Sequence, residues 1–217
     1  MAKRVVLSVG TKRGLFLLES AKPRKRWTVR GPYLKGWSVP YAMIDTRSKT
    51  PRLHAAGSHY AYGNTMYSAD IGGKKFVAAE KPPEIPELNK KAADFVKKYG
   101  LDASKKTWII QPGHEKQKSV LYCGTAPAAL FRSKDRGKTW EPVEALNKHK
   151  SRKDWNPGAG GQALHSIQVD PDDPKRMYVA ISAAGAFRTE DGGESWEPIN
   201  RCVAEYVGAP KESDVGT

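Results

Sequence analysis

One eight-residue pattern occurs twice, and it constrains the fold more than any other feature of the chain. Residues 133–140 read SKDRGKTW and residues 189–196 read TEDGGESW. Both fit Ser/Thr-x-Asp-x-Gly-x-Ser/Thr-Trp, with the Trp seven positions after the first hydroxyl. Two decayed copies precede them. Ser20 and Trp27 keep the spacing, with Lys22 and Arg24 in place of Asp and Gly. Ser68, Asp70 and Gly72 are present in the other, but the aromatic, Phe76, comes one residue late. Upstream of each hydroxyl lies a β-rich run, a small-residue turn and a second short run: VVLSVGTKRGLFLLES, RLHAAGSHYAYGNTMYS, VLYCGTAPAALFRS and MYVAISAAGAFRT. Alternation broken by turn residues in this way marks hairpins.

The four hydroxyls are spaced 48, 65 and 56 residues apart, about the length of one four-stranded propeller blade. The expected fold is therefore all-β, a β-propeller of four-stranded antiparallel blades near residues 1–33, 38–80, 107–146 and 163–203. Residues 81–106 are an insertion. Within it Leu88, Ala92, Phe95, Val96 and Tyr99 recur at helical spacing. Pro86 suits a first turn and Gly100 a stop, which predicts a helix near 86–99. The polar tail 209–217 is expected to be disordered.

The repeated motif has a structural explanation. Asp135 and Asp191 can accept backbone N–H groups within a tight turn, beside the hydroxyls of Ser133, Thr139, Thr189 and Ser195. Gly137 and Gly193 permit positive φ, and Trp140 and Trp196 staple the turn to the sheet. Copies repeated around a ring cannot all share one active site, so these aspartates are read as structural rather than as catalytic carboxylates or calcium ligands.

The chain resembles the Asp-box (BNR) repeat proteins, a group that includes sialidases, sortilin-type luminal domains, photosystem II assembly factors and bacterial propellers labelled glycosyl hydrolase or sialidase-like. VGTKRGLF, PAALFRS, the Trp-x-Pro-Gly-x-Gly-Gly stretch from Trp155 and DPDDPKRMYVAISAAGAFRTEDGGESW carry the resemblance. It implies that the motif turns between the third and fourth strands of a blade. The turns between second and third strands, and the links between blades, then share the opposite face, where function usually resides. Candidate ligand-binding residues on that face are Lys12, Arg13, Trp37, His59, Tyr60, Trp155 and His165, with Lys35, Tyr62, Lys148, Lys150, Arg152 and Lys153 nearby. Cations mixed with aromatics suit a carboxylated sugar, a phosphate or an acidic peptide.

Catalysis is harder to place. A sialidase would need three arginines for the substrate carboxylate, a Tyr–Glu pair and an Asp acid/base. Arg13 is the one arginine that falls in a turn of the expected face, and the family's N-terminal Arg-Ile/Leu-Pro motif is absent. Other glycosidases need two carboxylates roughly 5–9.5 Å apart, and Asp154 and Glu80 are the acidic residues nearest the loops. Catalytic residues are thus unassigned. The leading expectation is a binding or assembly scaffold; the alternative is a glycoside hydrolase whose catalytic set is incomplete in this chain.

The remaining features narrow the partners. The 217 residues carry 37 Lys or Arg against 23 Asp or Glu, a formal +14, which favours acidic carbohydrate or acidic protein partners. No nucleic-acid-binding signature accompanies that charge. The five histidines lack metal-ligand spacing, Gly158–Gly161 reads as a turn rather than a phosphate cradle, and neither metal nor cofactor is expected. No apolar run approaches the ~18 residues of a membrane span. Cys123 and Cys202, 79 residues apart, make no disulfide framework, and a cytoplasmic location is expected. The first repeat starts at what should be a second strand. The ring is therefore expected to be incomplete, and either to belong to a longer propeller or to close its open edges as a homodimer.

Overall fold

A computed structural model describes residues 4–73, 75–101, 103–155, 157, 161–182 and 184–200. The tail 209–217, Cys202 and the glycine run at 158–160 lie outside the described residues. Among the described residues, fifteen strands form four antiparallel sheets in chain order. Blade 1 holds β1 (Val5–Thr11), β2 (Gly14–Ser20) and β3 (Thr28–Tyr33). Blade 2 holds β4 (Ser38–Asp45), β5 (Arg52–His59), β6 (Gly63–Asp70) and β7 (Val77–Ala78). Blade 3 holds β8 (Lys106–Pro112), β9 (Leu121–Ala126), β10 (Leu130–Ser133) and β11 (Glu141–Pro142). Blade 4 holds β12 (Leu164–Val169), β13 (Met177–Ile181), β14 (Gly185–Thr189) and β15 (Glu197–Pro198). The four-stranded expectation holds for blades 2 to 4. Blade 1 has three described strands, and because Ser20 ends β2 and Trp27 precedes β3, they correspond to strands two to four of the other blades.

The core is a set of apolar layers between neighbouring sheets. Leu15 and Leu17 of β2 meet Val39, Leu53 and Ala55 of blade 2. Met66 and Ala56 of blade 2 meet Ile110, Cys123, Phe131 and Trp140 of blade 3. Tyr122, Leu130 and Val143 of blade 3 meet Leu164, Ile167, Val179 and Phe187 of blade 4. Period-2 alternation explains why each strand feeds one layer with every second residue. Blade 1 has a sheet on one side only. Leu15 and Leu17 turn inward, so the partners Val9↔Phe16 and Leu7↔Leu18↔Val29 share the opposite face. Leu7, Val9 and Val29 there are 45%, 37% and 61% exposed.

Both intact motifs fold as their residue types dictate. Asp135 Oδ1 accepts the backbone N–H groups of Lys138 and Thr139 at 3.0 and 2.9 Å, while Oδ2 accepts the Thr139 hydroxyl at 2.6 Å. Ser133 Oγ receives the Gly137 N–H at 2.8 Å and donates to Asp135 Oδ1 at 2.8 Å. Asp191, Thr189, Gly193 and Ser195 repeat the arrangement. Gly137 and Gly193 hold φ of 86° and 96°, where an L side chain is strained. The Ser195 hydroxyl and N–H and the Thr189 hydroxyl keep the Asp191 carboxyl well below the usual carboxylate range.

The insertion helix α1 (Lys90–Tyr99) is shorter than expected, because the Asn89 side chain caps its start by accepting the Ala92 N–H at 2.8 Å. Gly100, at φ 61°, ends it as the sequence implies. Helix α2 (Glu144–Asn147) and a 3₁₀ turn (Lys150–Asp154), neither expected, pack where blades 3 and 4 meet.

A clamp ties blade 2 to blade 3. Arg47 bonds both oxygens of Asp45, at 2.9 and 2.8 Å. It also donates to the carbonyls of Gly113, His114, Gln117 and Val120 in the β8–β9 loop. Close by, His54 is 3% exposed, and burial pushes its pKa down to about 4, against the pull of Asp45 and with the push of Arg52 and Arg47. A histidine depressed in this way is neutral in the folded state but protonates near 6.5 once unfolded, so stability is lost as pH falls from about 6.5 to about 4. The loss over that window should be roughly 3 kcal/mol. Urea titrations of wild type and His54→Leu at pH 7 and pH 4.5 should show the variant losing less; equal slopes would contradict this account.

Candidate functional site

The β5–β6 turn and the β3–β4 link meet on the face away from the motif turns. Here a ring cluster forms. His59 stacks on Tyr60 at 4.6 Å and on Tyr62 at 4.8 Å between centroids. Trp37 lies 5.1 Å from His59, stacks on Tyr62 at 6.2 Å and takes the edge of Tyr67 at 5.3 Å. Gly57 makes the arrangement fit. A Cβ there would come within 2.9 Å of Tyr67 and 3.0 Å of Trp37, so only glycine lets both rings lie on β5. His59 Nδ1 accepts the Ala61 N–H at 3.1 Å, which places its proton on Nε2 when the ring is neutral. Tyr60 and Tyr62 are 98% and 77% exposed. Two tyrosines held out in water by stacking, rather than folded onto the surface, form an apolar platform with polar tips.

Beside the platform a groove of about 520 Å³ runs between blades 1 and 2. Thr11, Lys12, Ser38, Ser58, Ser104, Lys105 and Lys106 supply its polar lining. Ser38 and Ser58 are the chain neighbours of Trp37 and His59, so groove and platform are continuous. The insertion is pinned here because Asn64 Nδ2 donates to the Lys105 carbonyl at 2.9 Å and Lys105 pairs with Glu87 at 2.5 Å. Lys106 stands over the Trp108 ring at 5.2 Å. The groove thus offers hydroxyls and ammonium groups, and none of its lining residues is a carboxylate.

Of the sequence candidates, Lys12, Trp37, His59 and Tyr60 come together. Arg13 is exposed on the adjoining β1–β2 turn, with its N–H donated to Thr11 Oγ1 at 3.1 Å. Trp155 is placed elsewhere, as a correction to the sequence reading. It is 1% exposed in the layer between blades 3 and 4, 5.6 Å from Phe187, with Nε1 donating to Ser151 Oγ at 3.0 Å. The Trp-x-Pro-Gly context reads as a surface loop, yet the ring fills an apolar gap. His165 is half-buried on β12 in blade 4, beside Ser166 Oγ at 3.1 Å. Glu80 and Asp154 sit on separate elements. The first donates its N–H to Lys138 in the blade 3 motif turn, and the second ends the 3₁₀ turn. Tyr67 and residues 104–106 were not among the candidates; no local pattern marks them, since it is the path of the insertion that brings 104–106 here.

Comparison with known proteins bears on the architecture. No family model matches the chain. The GH74 xyloglucanase of Xanthomonas campestris superposes with a TM-score of 0.56 at 14% identity, over 89% of this chain and 27% of that one. YCF48 from Cyanidioschyzon merolae superposes at 0.53 with 11% identity, over 88% of this chain and 52% of that one. The chain has the fold of the Asp-box propellers. Niastella koreensis GH74 gives 0.52 at 16% identity, over 88% and 27%. In sequence, a probable oligoxyloglucan-reducing end-specific xyloglucanase of Neosartorya fischeri is 34% identical over 80 residues, 36% of this chain and 9% of that protein. The chain therefore spans a small fraction of that relative's length. Similarity at these identities concerns the fold, not the reaction.

Proposed function

We propose that the chain is a binding propeller whose platform and groove hold an acidic oligosaccharide. The exposed ring cluster of Trp37, His59, Tyr60 and Tyr62 carries this reading. A sugar's apolar ring face stacks on an aromatic plane, and its carboxylate finds Lys12 in the adjoining groove. The resemblance to sialidase-like propellers, and the xyloglucanase named above, favour a carbohydrate over an acidic peptide. Calorimetry with sialyllactose and an oligogalacturonate, against a neutral xyloglucan oligosaccharide, tests it. Tyr60→Ala with Tyr62→Ala should weaken acidic-sugar binding about tenfold, at roughly 0.5–1.5 kcal/mol per ring. Binding that is absent in wild type, or indifferent to both tyrosines, overturns the proposal.

A second reading follows from the 34% match to the xyloglucanase: that the same groove turns over its glycan. A groove lined by hydroxyls and ammonium groups lacks the paired carboxylates that glycoside hydrolysis uses. Release of reducing ends from the bound oligosaccharide would favour catalysis; unchanged ligand recovered from the complex would favour binding.

A further inference from the structure

The opposite face holds a second cleft. Strand β4 enters at the platform and leaves at Asp45, and β5 starts at Arg52, so the turn between them lies at the motif end of the blade. There a cleft of about 490 Å³ opens between blades 2 and 3. Lys49, Arg52, Lys118 and Arg136 line it, with the hydroxyls of Ser48 and Thr50 and with His54 and two carboxylates, Asp45 and Asp70. Asp45 is already engaged by Arg47 through both of its oxygens. Asp70 stands 3.7 Å from Arg52 NH1 and is largely exposed. Lys49, Lys118 and Arg136 make no ion pair among the described residues. The cleft therefore carries more positive than negative charge.

Three separate segments bring these cations together. Arg52 opens β5 and Lys49 lies three residues before it. The loop carrying Lys118 is held by Arg47 through carbonyls on both sides of that residue. Arg136, at φ 63°, donates its N–H to the Ser119 carbonyl at 2.9 Å, so the motif turn of blade 3 is tied to the same loop. Like charges gathered on rigid elements repel one another unless something between them carries the opposite sign. One terminal nitrogen of Arg52 donates to Ser68 Oγ at 2.9 Å, which fixes the guanidinium against β6.

From this arrangement we infer that the cleft between blades 2 and 3 is a binding site for the phosphate group of a small phosphorylated ligand. Lys49, Lys118 and Arg136 supply the cationic contacts, Arg52 adds its charge to the wall, and Ser48 and Thr50 supply hydroxyl donors. The volume exceeds that of a lone phosphate and falls in the range of small-molecule sites. The site is independent of the carbohydrate groove, since it lies at the other end of the strands.

The test is calorimetric titration of the full chain with inorganic phosphate and with pyrophosphate in low-salt buffer. One-to-one binding is expected, tighter for pyrophosphate. Arg136→Gly removes a cation while relieving a left-handed φ, so the fold is retained. It should weaken pyrophosphate about tenfold, and Lys49→Ala should do the same. Lys91→Ala, on the outward side of α1, removes one charge elsewhere and should leave the titration unchanged. Absence of saturable binding to either anion overturns the inference. So does an equal loss in Lys91→Ala and Arg136→Gly, because the protein would then attract anions through net charge alone.

Discussion

Replacing Arg47 by Met is expected to destabilise the protein by about 3–5 kcal/mol, as removal of one partner from a buried ion pair generally does. The side chains of Arg47 and Asp45 are 11% and 10% exposed, so little water is available to replace what is lost. Asp45 would be left with a largely buried negative charge and no cation bonded to it. Burial raises its pKa, and at present the side-chain and backbone bonds from Arg47 more than offset that, leaving it below the ordinary value. Arg47→Met keeps the backbone N–H bond to Asp45 Oδ1 but removes the side-chain bonds and the guanidinium charge, so the Asp45 pKa should rise from its lowered position. Four carbonyls of the β8–β9 loop would lose the Arg47 donor as well, although those of His114, Gln117 and Val120 would each keep a backbone N–H. For a chain of this size the loss corresponds to a fall of roughly 10 °C in Tm. Thermal scans of Arg47→Met and of Asp45→Asn/Arg47→Met decide the matter. The double variant should recover part of the loss, and a single variant within 1 °C of wild type would show that the clamp is incidental.

The second large effect distinguishes intact from decayed repeats. Trp140→Ala should cost about 3–5 kcal/mol, the range for deleting a fully buried large aromatic. Its ring is 2% exposed, Nε1 donates to the Gly137 carbonyl at 3.2 Å, and its backbone N–H donates to Lys81 at 2.9 Å. Trp27 occupies the same position in the first repeat yet is 39% exposed, so Trp27→Ala should cost no more than about 1 kcal/mol. Chemical denaturation of the two variants measures both. Similar losses would mean that the seven-residue spacing, rather than burial between sheets, sets the energetic weight of the Trp.

How much of this was legible in the sequence depends on how far apart the interacting residues lie. The motif turn was readable to the level of individual bonds, because Ser133, Asp135, Gly137 and Thr139 satisfy one another within a few residues. The helix starts four residues later than Pro86 suggests, because Asn89 is a better cap than any residue before Pro86. The platform was partly legible: four of its rings, Trp37, His59, Tyr60 and Tyr62, stand out in turns and links, while Tyr67 looks like an ordinary strand residue. The Arg47 clamp was invisible. Its carbonyl partners lie 66 to 73 residues away, and backbone carbonyls leave no trace in side-chain identity. Trp155 was misread for a related reason. A Trp beside Pro and Gly suggests a surface loop, and only the course of the 3₁₀ turn shows its ring entering the layer beside Phe187.

The uncovered side of blade 1 has a consequence for how the molecule behaves among its own copies. Leu7, Val9 and Val29 form a greasy end plate, whereas the corresponding side of blade 4 presents the Tyr178↔Arg188↔Glu197 row. The two ends are unlike, so stacking head to tail would bury charge against hydrocarbon and find no complementary surface. The greasy plate would match only another of its kind. The first thirty residues, which include β1 and β2, carry nine Lys or Arg and a single Glu, and two plates brought together would bring like charges closer as well. Added salt shortens the reach of that repulsion from about 10 Å at 0.1 M to about 3 Å at 1 M. Concentrated salt, which many basic proteins tolerate, is where this chain should begin to clump.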